Sequence, residues 1–314
     1  MQGTKREKKL VIWIAVILLL GNVSGCMKKA EPESGETPYI VGVVTKSKDS
    51  EYWMSVCSGM EKAAKDFGIS VMIVSPESEL DDRVQKKMIH DLIQKGVDAL
   101  AVSPIQSYDT EYLKEAEEKQ IPVISYDTRI VKDGIPYVGI DNKKVGEELA
   151  KTMAEQLGNV GTVGIVSGDF QQTSHKERTE GIRSYIENNT DIDIAFVESG
   201  YSNLLMSEEE ISKLMTEHSN LDGIFATSAV TALGIMEYMQ NRPVKIMTVD
   251  TQRDAIEAVS NGRISALAAQ SGYDIGYAAI EYIAEHRDEN INEMEDKILD
   301  IEIITKENVE QWKE

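Results

Sequence analysis

The feature that most constrains this chain is a structural plan that runs through it twice. From Tyr39 onward, short β-branched runs alternate with longer amphipathic stretches. Strands are expected at 40–45 (IVGVVT), 71–75, 99–103 and 122–126, each nearly continuous in apolar residues, as strands buried on both faces are. Helices with three- and four-residue apolar spacing are expected at about 52–66, 82–95 and 109–119. The series then returns, with strands at 163–167, 194–198, 223–228 and 245–249 and helices near 176–188, 207–218 and 230–241. Gly42 and Gly59 are 17 residues apart, as are Gly164 and Gly181; Asp98 to Asp127 is 29 and Asp222 to Asp250 is 28. GVDALAVS recurs as LDGIFATS and VISYDT as IMTVDT, so four matches in order mark an internal duplication. Strand, helix, strand in this rhythm implies α/β architecture: two similar doubly wound parallel-sheet lobes.

An open parallel sheet binds ligands beyond the carboxyl ends of its strands. Asp127 and Asp250 each follow an apolar strand at matching positions, so facing lobes would present one carboxylate apiece to a shared cleft. The alternative, in which each Asp caps the next helix, stays open at this point. The four histidines are scattered without metal-ligand spacing, and neither a nucleophile elbow nor a phosphate-binding loop is present. GNVGTVG at 158–164 has the wrong glycine spacing for a dinucleotide site and reads as a turn. An enzyme, a cofactor and a metal are therefore not expected. His175, the only histidine near the expected cleft, reads as a solvated loop residue, and Cys57 as a small core residue in a helical apolar pattern. With 33 Lys and Arg against 54 Asp and Glu, and no basic cluster beyond residue 30, the surface excludes nucleic acid as a partner.

The first residues have their own logic. Lys5, Arg6, Lys8 and Lys9 precede an apolar run of eleven, Leu10 to Leu20, which is too short to cross about 30 Å of hydrocarbon but suits an export signal. Val23-Ser24-Gly25-Cys26 resembles a bacterial lipobox, which implies cleavage after residue 25 and acylation of Cys26. Residues 1–25 are thus expected to be a lipoprotein signal peptide, and 26–38, rich in Glu, Pro, Ser and Gly, a flexible tether to the membrane. Cleavage of residues 1–25 removes four basic groups and Glu7, leaving 29 basic against 53 acidic residues and a net charge of −24.

Several motifs then fall in a familiar order: Tyr52-Trp53 after the first strand, IPVISYDT at 121–128, VGIDN at 138–142 and HKERTEGI at 175–182. They continue with LDGIFATSAVTALG at 221–234, VDT at 249–251 and NGRISALAAQSGYDIG at 261–276. Over roughly residues 39–305 the chain resembles the type I periplasmic sugar-binding proteins, the ribose- and galactose-binding group that serves ABC transporters and chemoreceptors. The resemblance implies a three-strand hinge, with crossings near Val138–Asp141, Ala268–Gln270 and Leu299–Ile303. Lobe one would comprise 39–138 plus 270–299, and lobe two 140–268 plus 301–305. It further implies that Tyr52 and Trp53 stack on a sugar ring, Asp127 and Asp250 accept its hydroxyls, Gln270 serves at the hinge and Tyr201 adds a second-lobe aromatic.

Where the family usually has Asn, Arg, Arg and Asn-Asp, this chain has Ser50, Thr128, Lys176 (with Arg178 two residues on) and Ser228-Ala229. A lysine at 176 loses the planar fork, which disfavours plain ribose and suits a bulkier or differently substituted sugar, a polyol or a sugar-like signal. The implied protein is a monomer that hands its ligand to an ABC transporter permease. The alternative is an extracellular sensor for a membrane histidine kinase or chemoreceptor. Sugar-responsive repressors share the core but carry a DNA-binding segment where this chain has an export signal.

Overall fold

The computed structural model describes residues 38–313 apart from Asp49 and Asn241, so the expected export signal, Cys26 and nearly all of the tether lie outside the described residues. The first half runs β1 (Ile40–Val44), α1 (Glu51–Phe67), β2 (Ser70–Val74), α2 (Asp82–Gln94), β3 (Ala99–Val102), α3 (Lys114–Glu118), β4 (Val123–Tyr126) and β5 (Tyr137–Ile140). The second runs α4 (Asn142–Leu157), β6 (Val160–Ser167), α5 (Thr173–Asn189), β7 (Asp191–Ser199), α6 (Leu204–Glu217), β8 (Gly223–Ala226), α7 (Ala229–Met239), β9 (Lys245–Val249), α8 (Arg253–Ser260) and β10 (Ala266–Ala268). The chain closes with α9 (Gly272–His286), β11 (Lys297–Leu299) and β12 (Ile303–Ile304).

Two six-stranded sheets result, ordered β11-β5-β4-β3-β1-β2 and β12-β10-β9-β8-β6-β7. All pairings are parallel except β10 with β12. The chain passes between sheets after β5, after β10 and between β11 and β12, and the two lobes are doubly wound α/β units of one plan. The central strands are buried on both faces, which is why they read as unbroken apolar runs, whereas β2 lies at an edge and is half-exposed throughout.

The duplicated glycines have a physical role. A Cβ on Gly59 of α1 would lie 2.0 Å from the carbonyl oxygen of Tyr273 on α9, and one on Gly181 of α5 would lie 2.1 Å from that of Lys143 on α4. In each lobe, glycine lets one helix pair approach backbone to backbone.

Three local expectations need correction. The helix expected at 109–119 shrinks to a 3₁₀ turn, Glu111–Leu113, followed by the five-residue α3, because only Leu113 and Ala116 anchor it. Helix α5 begins at Thr173 and not near 176, because its first turn buries polar residues, Thr173, Ser174 and His175, and so carries no apolar period. Cys57 is half-buried at the surface of α1, outside the core clusters, and burial raises its thiol pKa. Among the described residues no helix is long and apolar enough to cross a membrane.

Candidate functional site

The carboxyl ends of the two sheets meet at a polar cleft lined from lobe one by Lys46, Ser50, Tyr52, Trp53, Glu79 and Asp127. Lobe two contributes Ser174, His175, Arg178, Ser202, Ser228, Val230, Asp250 and Gln252. The lobes are drawn together, leaving about 40 Å³ of open space, the room of one or two waters.

Asp127 and Asp250 both sit in the left-handed region, with φ of 60° and 80°. A non-glycine residue there is uncommon and is held by its surroundings; the turn aims each carboxylate into the cleft immediately after its strand. The two environments differ. Asp127 Oδ1 accepts from Tyr52 Oη at 2.6 Å and Gln270 Nε2 at 3.0 Å, and its Oδ2 from Ser103 Oγ and Thr128 Oγ1, each at 3.0 Å. The Lys46 ammonium lies 3.1 Å from the same Oδ2. Burial opposes the ionised form, but the charges of Lys46 and Arg178 and the Tyr52 hydrogen bond outweigh it and hold Asp127 at about 2. Asp250 Oδ2 accepts one weak bond, from Ala229 N at 3.3 Å. Burial, with the Asp127 charge adding to it and Arg178 opposing, lifts Asp250 to about 6.

Lys46 is one of several lining residues, with Glu79, Ser174, Ser202, Val230 and Gln252, that the sequence pattern does not mark as site residues. It is 3% exposed, and its ammonium donates to Thr128 Oγ1 at 2.9 Å and, across the cleft, to Gln172 Oε1 at 2.6 Å. The signal was available: Lys46 follows β1 as Asp127 follows β4. Further bonds also bridge the lobes. Thr173 N donates to Ser107 Oγ at 3.0 Å, Gln172 Nε2 to Glu79 Oε2 at 3.1 Å, Gln252 Nε2 to Ser50 Oγ at 3.4 Å, and Thr128 and Ser174 pair at 2.9 Å.

The aromatic pair is inside, and engaged. Tyr52 and Trp53 meet edge to face at 5.2 Å, and Trp53 Nε1 donates to Glu79 Oε1 at 3.1 Å. Arg178 is equally committed: its Nε donates to Asn142 Oδ1 at 2.9 Å, one terminal nitrogen to the Thr227 carbonyl at 2.7 Å, and the other to Gln270 Oε1. Gln270 Nε2 donates onward to Tyr52 Oη at 2.7 Å, and Thr128 supports Asp127 from behind the lining. Ser228 caps α7 through its bond from Thr231 N.

Two expected site residues lie elsewhere. Lys176 is exposed, one helical step past the buried face of α5, and its ammonium donates to Tyr108 Oη at 3.2 Å while packing over that ring. Tyr201 is 41% exposed at the rim, in a left-handed turn with φ of 54°. His175 is no solvated loop residue: it is buried on α5, with Nδ1 2.8 Å from Thr227 Oγ1 and Nε2 2.9 Å from Ser202 Oγ. Burial, then the charges of Arg178 and Lys46, hold its pKa well below the usual histidine range, so it lines the cleft as a neutral ring.

Two parallel-sheet lobes joined by three crossings, with a buried polar cleft between them, define a two-lobed small-molecule-binding protein of the type I periplasmic class. The chain belongs to the periplasmic binding proteins: the family profile described as "Periplasmic binding protein domain" matches residues 41–290. It is 24% identical over 283 residues to the ribose import binding protein RbsB of Bacillus subtilis (strain 168), covering 88% of this chain and 92% of that one. It is 25% identical over 280 residues to a D-ribose/D-allose-binding protein of Pseudomonas aeruginosa, covering 85% and 87%. Among solved structures it is similar to an ABC transporter periplasmic solute-binding protein from Actinobacillus succinogenes 130z with bound D-allose, at TM-score 0.79 and 26% identity over 88% of this chain and 100% of that one. It is also similar to the XylFII–LytSN complex, at TM-score 0.77 and 27% identity over 87% and 100%.

Proposed function

We propose that this chain is an exported, lipid-anchored solute-binding protein that captures a sugar or sugar-like ligand between its lobes, without chemical change, and delivers it to an ABC transporter. The observation that carries this reading is Asp250: a buried carboxylate, turned into a polar cleft between two lobes, with one long bond from a backbone amide. A hydroxyl-rich ligand supplies the donors it lacks, and a hydroxyl-to-carboxylate bond is about twice as strong as a neutral one. The faces of Tyr52 and Trp53 offer apolar surface for a ring, while Ser50, Arg178, Ser228 and Gln270 frame it. Lys46 adds a donor on the first-lobe side. With about 40 Å³ open, the lobes part to admit such a ligand and close over it. The relatives named for ribose and allose support the ligand class; the basic residues, apolar run and Cys26 support export and lipid anchoring at the outer face of the cell membrane.

A thermal-shift panel of pentoses, hexoses, disaccharides, polyols and furanose signals tests the reading. A ligand at a hundredfold excess over its Kd adds about 2.7 kcal/mol of stability, so one class is expected to raise Tm clearly. No response across the panel sinks the sugar reading. The second reading, a ligand sensor for a membrane partner, draws on similarity to the XylFII–LytSN complex, and pull-down with the purified membrane partner in the presence and absence of the responding sugar separates the two.

A further inference from the structure

The first crossing between lobes carries a tyrosine that is not itself part of the cleft lining, yet closes a circuit around it. Tyr137, at the start of β5, is buried, and its ring folds back over the strand. A Cβ on Gly139 would lie 2.2 Å from its hydroxyl oxygen and 2.4 Å from Cζ, so only glycine fits beneath. The hydroxyl donates to the carbonyl of Asp127 at 3.0 Å, with that of Ile140 at 3.2 Å, and accepts from Asn142 Nδ2 at 3.3 Å. Outside, the ring lies under the Arg129 guanidinium at 4.6 Å, and Arg129 pairs with Asp296 at 2.7 Å while Asp296 Oδ1 accepts from Tyr137 N at 2.8 Å. Tyr137 is thereby fixed in lobe one and bonded to the crossing.

From Asn142 the chain of bonds continues into lobe two. Asn142 holds Arg178 Nε, Arg178 holds Gln270 on the second crossing, and Gln270 returns to the Asp127 carboxylate. Thus the main chain and the side chain of Asp127 are the two ends of one loop that passes through two of the three crossings. We infer that Tyr137 is a positioning residue: its hydroxyl ties rotation at the first crossing to the placement of Asp127 and Arg178, and so sets how readily the lobes close. Rotation about residues 139–141 moves Ile140 and Asn142 relative to Asp127, which breaks this junction, and closure remakes it. The affinity readout rests on the ligand-capture reading above; the distance readout does not.

Tyr137→Phe removes the hydroxyl and keeps the ring, its Arg129 contact and its packing. Spin labels placed at exposed Lys87→Cys on α2 and Lys213→Cys on α6, in the full chain with Cys26→Ala and Cys57→Ser, read the distance between lobes without ligand. The expected result is a shift of the distance distribution toward the open form, with Tm within about 4 °C of the parent and affinity for D-ribose or D-allose three- to tenfold weaker (about one buried hydrogen bond). Gly139→Ala, whose methyl meets the intact ring, is expected to shift the distances the same way; where that variant does not fold, Tyr137→Phe alone decides. An unchanged distance distribution in Tyr137→Phe overturns the proposal, whatever happens to Tm or affinity. If neither sugar binds the parent protein, the affinity readout passes to the ligand that the thermal-shift panel returns, while the distances still judge the hinge.

Discussion

Asp127 and Asp250 occupy the same place in two copies of one plan, after equivalent strands and in the same left-handed turn, yet they are opposite electrostatic objects. Asp127 is saturated by four hydrogen bonds and an ammonium group, and sits at about 2. Asp250 has one long bond and is lifted to about 6. Duplication therefore conserved the backbone device that aims a carboxylate into the cleft, while the side chains around it diverged. In lobe one that carboxylate anchors Lys46 and the hinge glutamine; in lobe two it keeps a single long bond from a backbone amide.

The largest test of this contrast is Asp127→Ala. It strands Lys46 in a buried site without its carboxylate, and losing one partner of a buried ion pair costs about 3–5 kcal/mol, so ligand-free Tm is expected to fall by roughly 10 °C. Asp250→Ala should leave ligand-free Tm unchanged or slightly raised, since burial already disfavours its charge, but weaken sugar binding by about ten- to a hundredfold in calorimetry. Equal thermal losses in the two variants would erase the distinction.

A pH titration sharpens it. Asp250 ionises above its ordinary value, so its ionisation opposes folding and removes stability as pH rises from about 4 to 6; Asp127 ionises below its ordinary value, so its contribution is present above about 4 and is lost as pH falls toward 2. Sugar affinity is accordingly expected to decline as pH drops through about 6, and a flat profile in Asp250→Asn over that range identifies the group. The smallest effects belong to Lys176→Ala and Tyr201→Ala: with Lys176 on Tyr108 and Tyr201 at the rim, affinity should stay within about twofold. A tenfold loss in either would put that side chain back in the cleft.

Much of the fold was written in local pattern. The run 245–249 is β9 residue for residue, because Ile246 to Val249 are all buried and their apolar and β-branched side chains read as one continuous run. The start of α5 was hidden for the opposite reason: its first turn is buried against polar groups of the other lobe, and apolar periodicity is blind to that. At the site, the aspartates were marked by strand followed by acid; the same rule applied to a base marks Lys46, which was overlooked because a lysine reads as surface. Arg178 stands in the cleft wall but spends its donors on Asn142, Thr227 and Gln270, a commitment that only the assembled lobes reveal.

Bonds that cross the cleft directly, among them Lys46 to Gln172, Thr173 to Ser107 and Gln252 to Ser50, limit the dynamic range of anything that responds to closure. Every such bond stabilises the shut form whether or not ligand is inside, and so raises the background against which occupancy is read. A protein shut about one time in ten when empty can rise at most tenfold when saturated, however tightly it binds. Loosening these clasps, for example by Gln172→Ala, therefore trades affinity for contrast.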